Sequence, residues 1–95
     1  MSISEEIKKR IQEADRRFHS NDNISEFIKE GELDLLQNEV EEKLKDVLDS
    51  LVIDTTNDHN TQDTSRRVAK MWIKETFSGR YKPAPKITSF PNMGY

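Results

Sequence analysis

The sequence predicts a mainly α chain: an antiparallel helical pair, a third helix, and one strand segment near the C-terminus. Three observations lead there. Apolar residues recur at helical spacing over two long stretches, capping residues and glycines punctuate those stretches, and only one short run near the end reads as extended. With 95 residues, 33% of them hydrophobic, the chain is bounded to one small domain or a piece of a larger one, and its core is expected to be thin.

The first helix is predicted from Ile3, Ile7, Ile11, Ala14 and Phe18, which fall on one stripe at steps of four, four, three and four. Ser2 and Glu5 have capping-box spacing, and the polar cluster His19-Ser20-Asn21-Asp22-Asn23 is expected to end the element. His19 is then placed at a helix end, where its protonated form would favour the dipole. Ile24, Phe27 and Ile28 make a short apolar turn before Gly31. The longest helix, over residues 32–52, follows from Leu33, Leu36, Val40, Leu44, Val47 and Leu51, with Leu35, Leu48 and Val52 widening the stripe. Its steps resemble heptads, but no matched flanking charge pattern accompanies them, so an ordinary bundle helix is expected.

Residues 54–62 form a polar loop. Asp54, Asn57, Asp58 and Asn60 bear a faint likeness to a calcium loop, but the central glycine and the terminal glutamate are missing. His59 reads as a solvent-exposed loop residue. A third helix is expected to start at Thr64 as N-cap and run to Phe77. Its predicted buried face is Val68, Ala69, Trp72, Ile73 and Phe77, with Gly79 closing it from the C′ position. Trp72 is read as core rather than as a platform for a stacked base. Residues 81–85 are an extended connector, and Lys86–Phe90 is a strand candidate ended by Pro91.

Charge is unevenly spread. Residues 1–65 carry 17 acidic and 8 basic side chains, whereas residues 66–95 carry one acidic and 7 basic. The basic end therefore either faces the acidic half or faces an anion. Arg67 and Lys70, three residues apart on one helix face near its N-terminal end, are the candidate phosphate contacts, because dipole and side chains act with the same sign. Arg66 and Lys74 are expected to be solvated or paired with acidic residues. Zero cysteines exclude a thiol nucleophile and any zinc site built on cysteine, and two histidines leave little for a metal. The longest apolar run is Leu51-Val52-Ile53, against the roughly 20 residues a bilayer span needs, and no secretory signal pattern opens the chain. A cytoplasmic protein without a membrane segment is expected. Nonspecific nucleic-acid binding through the basic end is a third, weaker reading.

The ordered set Thr64-Ser65-Arg66-Arg67-Val68-Ala69-Lys70-Met71-Trp72, then Phe77-Ser78-Gly79, then Pro85-Lys86-Ile87-Thr88 resembles the N-terminal region of the GTP cyclohydrolase I family. The specific match covers residues 44–95, while residues 1–43 agree only in being helical. Ser65 stands where the family usually has proline, which weakens the helix start slightly. The resemblance implies that Arg67 and Lys70 contact the triphosphate of GTP, and it gives Arg66 no role. It further implies that residues 1–85 are a helical N-terminal region, and residues 86–95 the start of the catalytic sheet of an α+β tunnelling-fold enzyme. That enzyme would convert GTP to 7,8-dihydroneopterin triphosphate and formate in pterin and folate biosynthesis, as a homo-oligomer with its active sites between subunits.

Zinc is expected in the complete family enzyme. Its two cysteines and histidine, like a further histidine for acid/base work, would lie downstream of these residues. The chain alone is accordingly expected to be inactive, with no catalytic or metal-binding residue of its own. Its GTP binding is expected to be weak or absent, and its partners are expected to be copies of itself or a complementary catalytic chain. The alternative is a stand-alone helical module that binds or regulates a full-length homologue through the Ile3–Phe18 and Leu33–Leu51 stripes.

Overall fold

The computed structural model describes residues 1–83, and the Lys86–Phe90 strand candidate lies outside them. Among the described residues the chain is helical, with no strand: α1 (Ile3–Glu13), a single 3₁₀ turn (Ser25–Phe27), α2 (Glu32–Ser50), α3 (Thr64–Met71), a π turn (Trp72–Thr76) and α4 (Ser78–Tyr81).

Helix α1 starts as the capping box requires. The Ser2 hydroxyl accepts from the Glu5 amide at 3.2 Å, and the Ser2 amide donates to the Glu5 carboxylate at 2.9 Å. It ends earlier than the apolar spacing suggests. Asp15 adopts φ 55°, and the Asp15 and Arg16 amides turn back onto the Gln12 and Ile11 carbonyls, both at 3.0 Å. This is a Schellman closure with aspartate in the left-handed position, which short polar side chains tolerate. Ala14 and Phe18 therefore fall outside the helix, Phe18 is exposed, and His19 sits in a later turn rather than at a helix end. Ile7 and Ile11 remain buried and build a small core with Ile24, flanked by Ile3, Phe27, Ile28 and Tyr81.

Gly31, at φ 83°, makes the left-handed turn into α2. The far end of α2 closes like that of α1, the Ile53 amide reaching the Leu48 carbonyl at 3.2 Å. Here the left-handed residue is Val52, at φ 63° and 92% exposed. Helices α1 and α2 run in opposite directions, since Ser4 near the start of α1 meets Glu39 while Arg10 near its end meets Glu32. The expected antiparallel pair is thus present, yet α2 packs more extensively on α3 than on α1.

The third helical stretch departs from expectation at both ends and on its face. Asp63, not Thr64, is the N-cap, and its side chain makes no capping bond. The π turn lets the Phe77 amide reach back five residues to Trp72 at 2.8 Å, absorbing one extra residue. Helical backbone then resumes through Gly79, so this glycine does not close the helix from a left-handed position. Ser65, Ala69 and Ile73, at successive steps of four, form the buried stripe. Small residues at the first two positions allow close helix approach. Val68 is only half-buried, and Trp72 and Phe77, expected in the core, are 38% and 41% exposed and meet edge to face with ring centroids 6.4 Å apart.

No described helix is long and apolar enough to cross a membrane.

Candidate functional site: the basic face of α3

Helix α3 and the π turn that continues it present four cations. The 3.6-residue repeat sets Arg67, Lys70 and Lys74 along one side, with Arg66 adjacent. Their surroundings differ. Arg66 pairs with Asp63 at 3.3 Å, one turn back, and Lys74 reaches across to Asp34 on α2 at 3.4 Å. Both answer the expectation that these two cations turn to the acidic half. Arg67 and Lys70 are exposed, and among the described residues neither forms an ion pair or a side-chain hydrogen bond. Two adjacent cations without an internal partner can accept an anion at no cost in broken contacts, whereas recruiting Arg66 or Lys74 first requires releasing a carboxylate. Asp63 lies at the same helix end and opposes a bound anion there, partly offset by its pairing with Arg66.

The described residues contain no group of three or more His, Asp or Glu able to hold a metal ion, and the chain has no cysteine. They do not fit a zinc centre, and no step of chemistry runs through one here. His59 is exposed in its loop.

Two polar constructions escaped sequence reasoning. In the first, the Arg10 guanidinium donates through both terminal nitrogens to the Glu32 carboxylate and also to the Phe27 carbonyl, while the Lys29 amide donates to Glu32 at 2.7 Å. The Arg10 hydrogen bonds, reinforced by the Lys29 amide, hold the Glu32 carboxyl down at a pKa of about 2. In the second, Asp22 takes a bidentate pair of 2.8 Å bonds from Arg17 and a third from the His19 amide, and its pKa is likewise lowered to about 2. The only sequence signals were local: Asp22 lies three residues after His19 and Glu32 three after Lys29, the spacing of side chain-to-backbone turns.

A third feature is an apolar groove of about 350 Å³ between α1, α2 and the π turn, lined chiefly by Leu36, Val40, Leu44, Val47 and Trp72.

Taken together, these observations define a small helical unit whose α3 carries, among the described residues, two exposed cations without an ion pair. Three relatives that it resembles carry one enzyme name. The chain is 39% identical over 61 residues to "GTP cyclohydrolase 1" of Shewanella sp. (strain W3-18-1), covering 62% of this chain and 28% of that protein. It is 41% identical over 54 residues to the same-named protein of Vibrio vulnificus (strain YJ016), covering 56% and 24%. Against that of Shewanella denitrificans it is 41% identical over 58 residues, covering 59% and 26%. The chain thus has a partial relationship to GTP cyclohydrolase 1 and spans about a quarter of the length of these curated relatives. No protein-family model matches it, and no solved structure does.

Proposed function

We propose that the chain is the N-terminal helical portion of a GTP cyclohydrolase I-like enzyme of the cytoplasm. In this reading it supplies triphosphate contacts and assembly surface to a homo-oligomer, and residues 86–95 lead into the catalytic sheet of the tunnelling fold. The observation that supports it most is the roughly 40% identity to enzymes of that name over about three-fifths of the chain. Arg67 and Lys70 are the proposed contacts to the GTP triphosphate, a role consistent with their exposure and with the absence of a carboxylate partner among the described residues. Ring opening of a purine requires an activated water and a proton donor. This reading leaves both, and the zinc, to residues beyond this segment.

The test is complementation. A Vibrio vulnificus or Shewanella relative stripped of its own N-terminal quarter is mixed with the 95-residue chain, and dihydroneopterin triphosphate formation from GTP is followed. Turnover restored by the chain, and lost with R67E/K70E, supports the reading. Turnover by the pure chain alone, or restoration indifferent to R67E/K70E, removes the assignment of roles.

One observation favours a second reading, in which the chain is a truncated module that binds or regulates a full-length homologue. Val47 and Leu51 on α2 are more than half exposed, and Trp72 lies beside the same groove. Adding the chain to an intact relative and measuring the mass of the assembly separates the two. Incorporation without added turnover favours the module.

A further inference from the structure

Helix α4 is four residues long and cannot stand by itself, because one helical turn fixes several dihedrals for very few hydrogen bonds. Its own ladder is limited to bonds such as Arg80 amide to Phe77 carbonyl at 3.0 Å and Lys82 amide to Ser78 carbonyl at 3.1 Å. The last carbonyls of any helix also need partners from outside it. Those partners come from the turn at residues 19–25. The Asn23 side-chain amide donates to the Gly79 carbonyl at 2.9 Å and to the Lys82 carbonyl at 2.6 Å, and the Ile24 amide donates to the Arg80 carbonyl at 2.7 Å. In return the Arg80 guanidinium donates to the His19 carbonyl and, at 3.4 Å, to that of Asp22. The other end of Asn23 is engaged as well: its Oδ1 accepts from the Ser25 amide at 3.0 Å and the Ser25 hydroxyl at 2.7 Å. Three carbonyls at the end of α4, those of Gly79, Arg80 and the C-cap Lys82, are therefore engaged by residues 56 to 59 positions away in the chain, and Tyr81 is carried onto the Ile7–Ile11–Ile24 core at the same time.

We propose that the 19–25 turn and α4 form a releasable latch, with Asn23 as its bridging residue, so that the helical state of residues 78–82 depends on the N-terminal turn and not on α3. The Asn23 bonds of the latch are exposed, unlike the Ser65–Ala69–Ile73 stripe. It opens at lower free energy than the α2–α3 pair does. Whatever engages the 19–25 turn thereby acts on the segment that follows the π turn. This inference stands on the hydrogen bonds alone and does not rest on the enzymatic reading.

Amide hydrogen exchange on the 95-residue chain, resolved by NMR, tests it with two variants. Asn23→Ala removes both functions of the side chain, whereas Asn23→Asp keeps the Oδ1 acceptor for Ser25 and removes the donor to α4. In both, exchange at Arg80 and Lys82 should accelerate about tenfold, while amides in α2 and α3 such as Leu44 and Ala69 stay within about twofold. In Asn23→Asp the Ser25 amide should keep its protection. The proposal is overturned if Arg80 and Lys82 exchange as in the parent chain in Asn23→Asp, or if α2 and α3 accelerate equally.

Discussion

Helix α2 is gripped on two sides by different physics. Against α1 the contact is polar and directional: Arg10 clasps Glu32, and the Ser4 amide and hydroxyl both donate to Glu39. Against α3 the contact is more extensive, and the α3 residues Ser65 and Ala69 are 2% exposed or less. The first contact sets direction and register, because only one sliding position satisfies both carboxylates. The second is the more extensive contact. The two contacts of this one helix thus differ in kind, and perturbing each should have a distinct signature.

The largest effect is expected at Ile73. Truncation to alanine leaves a cavity where α3 meets the rest of the chain and should cost about 2–4 kcal/mol, a sizeable share of the stability of so small a unit. Urea unfolding followed by circular dichroism should show the midpoint falling sharply, or cooperative unfolding vanishing. A loss below about 1 kcal/mol would mean that the buried Ile73 side chain contributes little to the fold.

How legible these two faces were in the sequence follows from the range of the interactions. The start of α1 could be read directly, because Ser2 and Glu5 act across three residues, and α2 was bounded to within two residues by its periodicity and Gly31. The end of α1 could not, since the apolar steps run on to Phe18 while the backbone turns at Asp15, a residue type that permits but does not announce a left-handed turn. On α3 the periodicity was right and the face was displaced. Ala69 and Ile73 are buried as hydrophobicity predicts, but Trp72 and Phe77 are not, and the small polar Ser65 takes a place in the stripe that hydrophobicity did not assign it. The Arg10–Glu32 clasp joins residues 22 apart and the Asn23 bridge residues 56 to 59 apart, and no local pattern encodes such distances. Arg67 and Lys70 were legible as a helical pair, and their freedom from carboxylates emerged only in three dimensions.

The polar face should respond to acid. Glu32 has its folded pKa lowered to about 2 from an ordinary 4.5, first by the Arg10 hydrogen bonds and then by the Lys29 amide. Because the folded value lies below the unfolded one, this carboxylate contributes stability that is fully present above about pH 4.5 and is lost as pH falls through about 2. Asp22, lowered to about 2 chiefly by Arg17, behaves in the same sense. In Arg10→Met the Glu32 carboxyl should titrate closer to its ordinary value, and less stability should be lost between about pH 4.5 and 2 than in the parent chain. Carboxyl chemical shifts in an NMR titration give the answer. An unmoved Glu32 would show that its pKa is not governed by Arg10.

A smaller effect, of opposite sign, is expected at the tip of α2. Val52 holds a left-handed backbone that costs a β-branched residue about 1–2 kcal/mol, and at 92% exposure it recovers almost nothing by burial. Val52→Gly removes the strain but adds entropy to the unfolded chain, so a net gain of about 1 kcal/mol is expected. Thermal unfolding should show this as a rise of several degrees. A fall instead would mean that Val52 has contacts which outweigh its backbone strain.

The smallest effect on stability belongs to the pair of greatest functional interest. Replacing Arg67 and Lys70 together by glutamate breaks no ion pair or side-chain hydrogen bond among the described residues, and both sites are exposed. The new carboxylates lie within α3, where Arg66 and Lys74 offer neighbouring cations to offset their mutual repulsion. Stability should therefore stay within about 0.5 kcal/mol of the parent chain. A residue kept for the fold and a residue kept for an anion part company at this point. Unchanged unfolding together with lost complementation of turnover by a truncated GTP cyclohydrolase 1 relative assigns the pair to substrate. A drop of more than about 1 kcal/mol would return it to the structural charge balance between the basic α3 and the acidic α2.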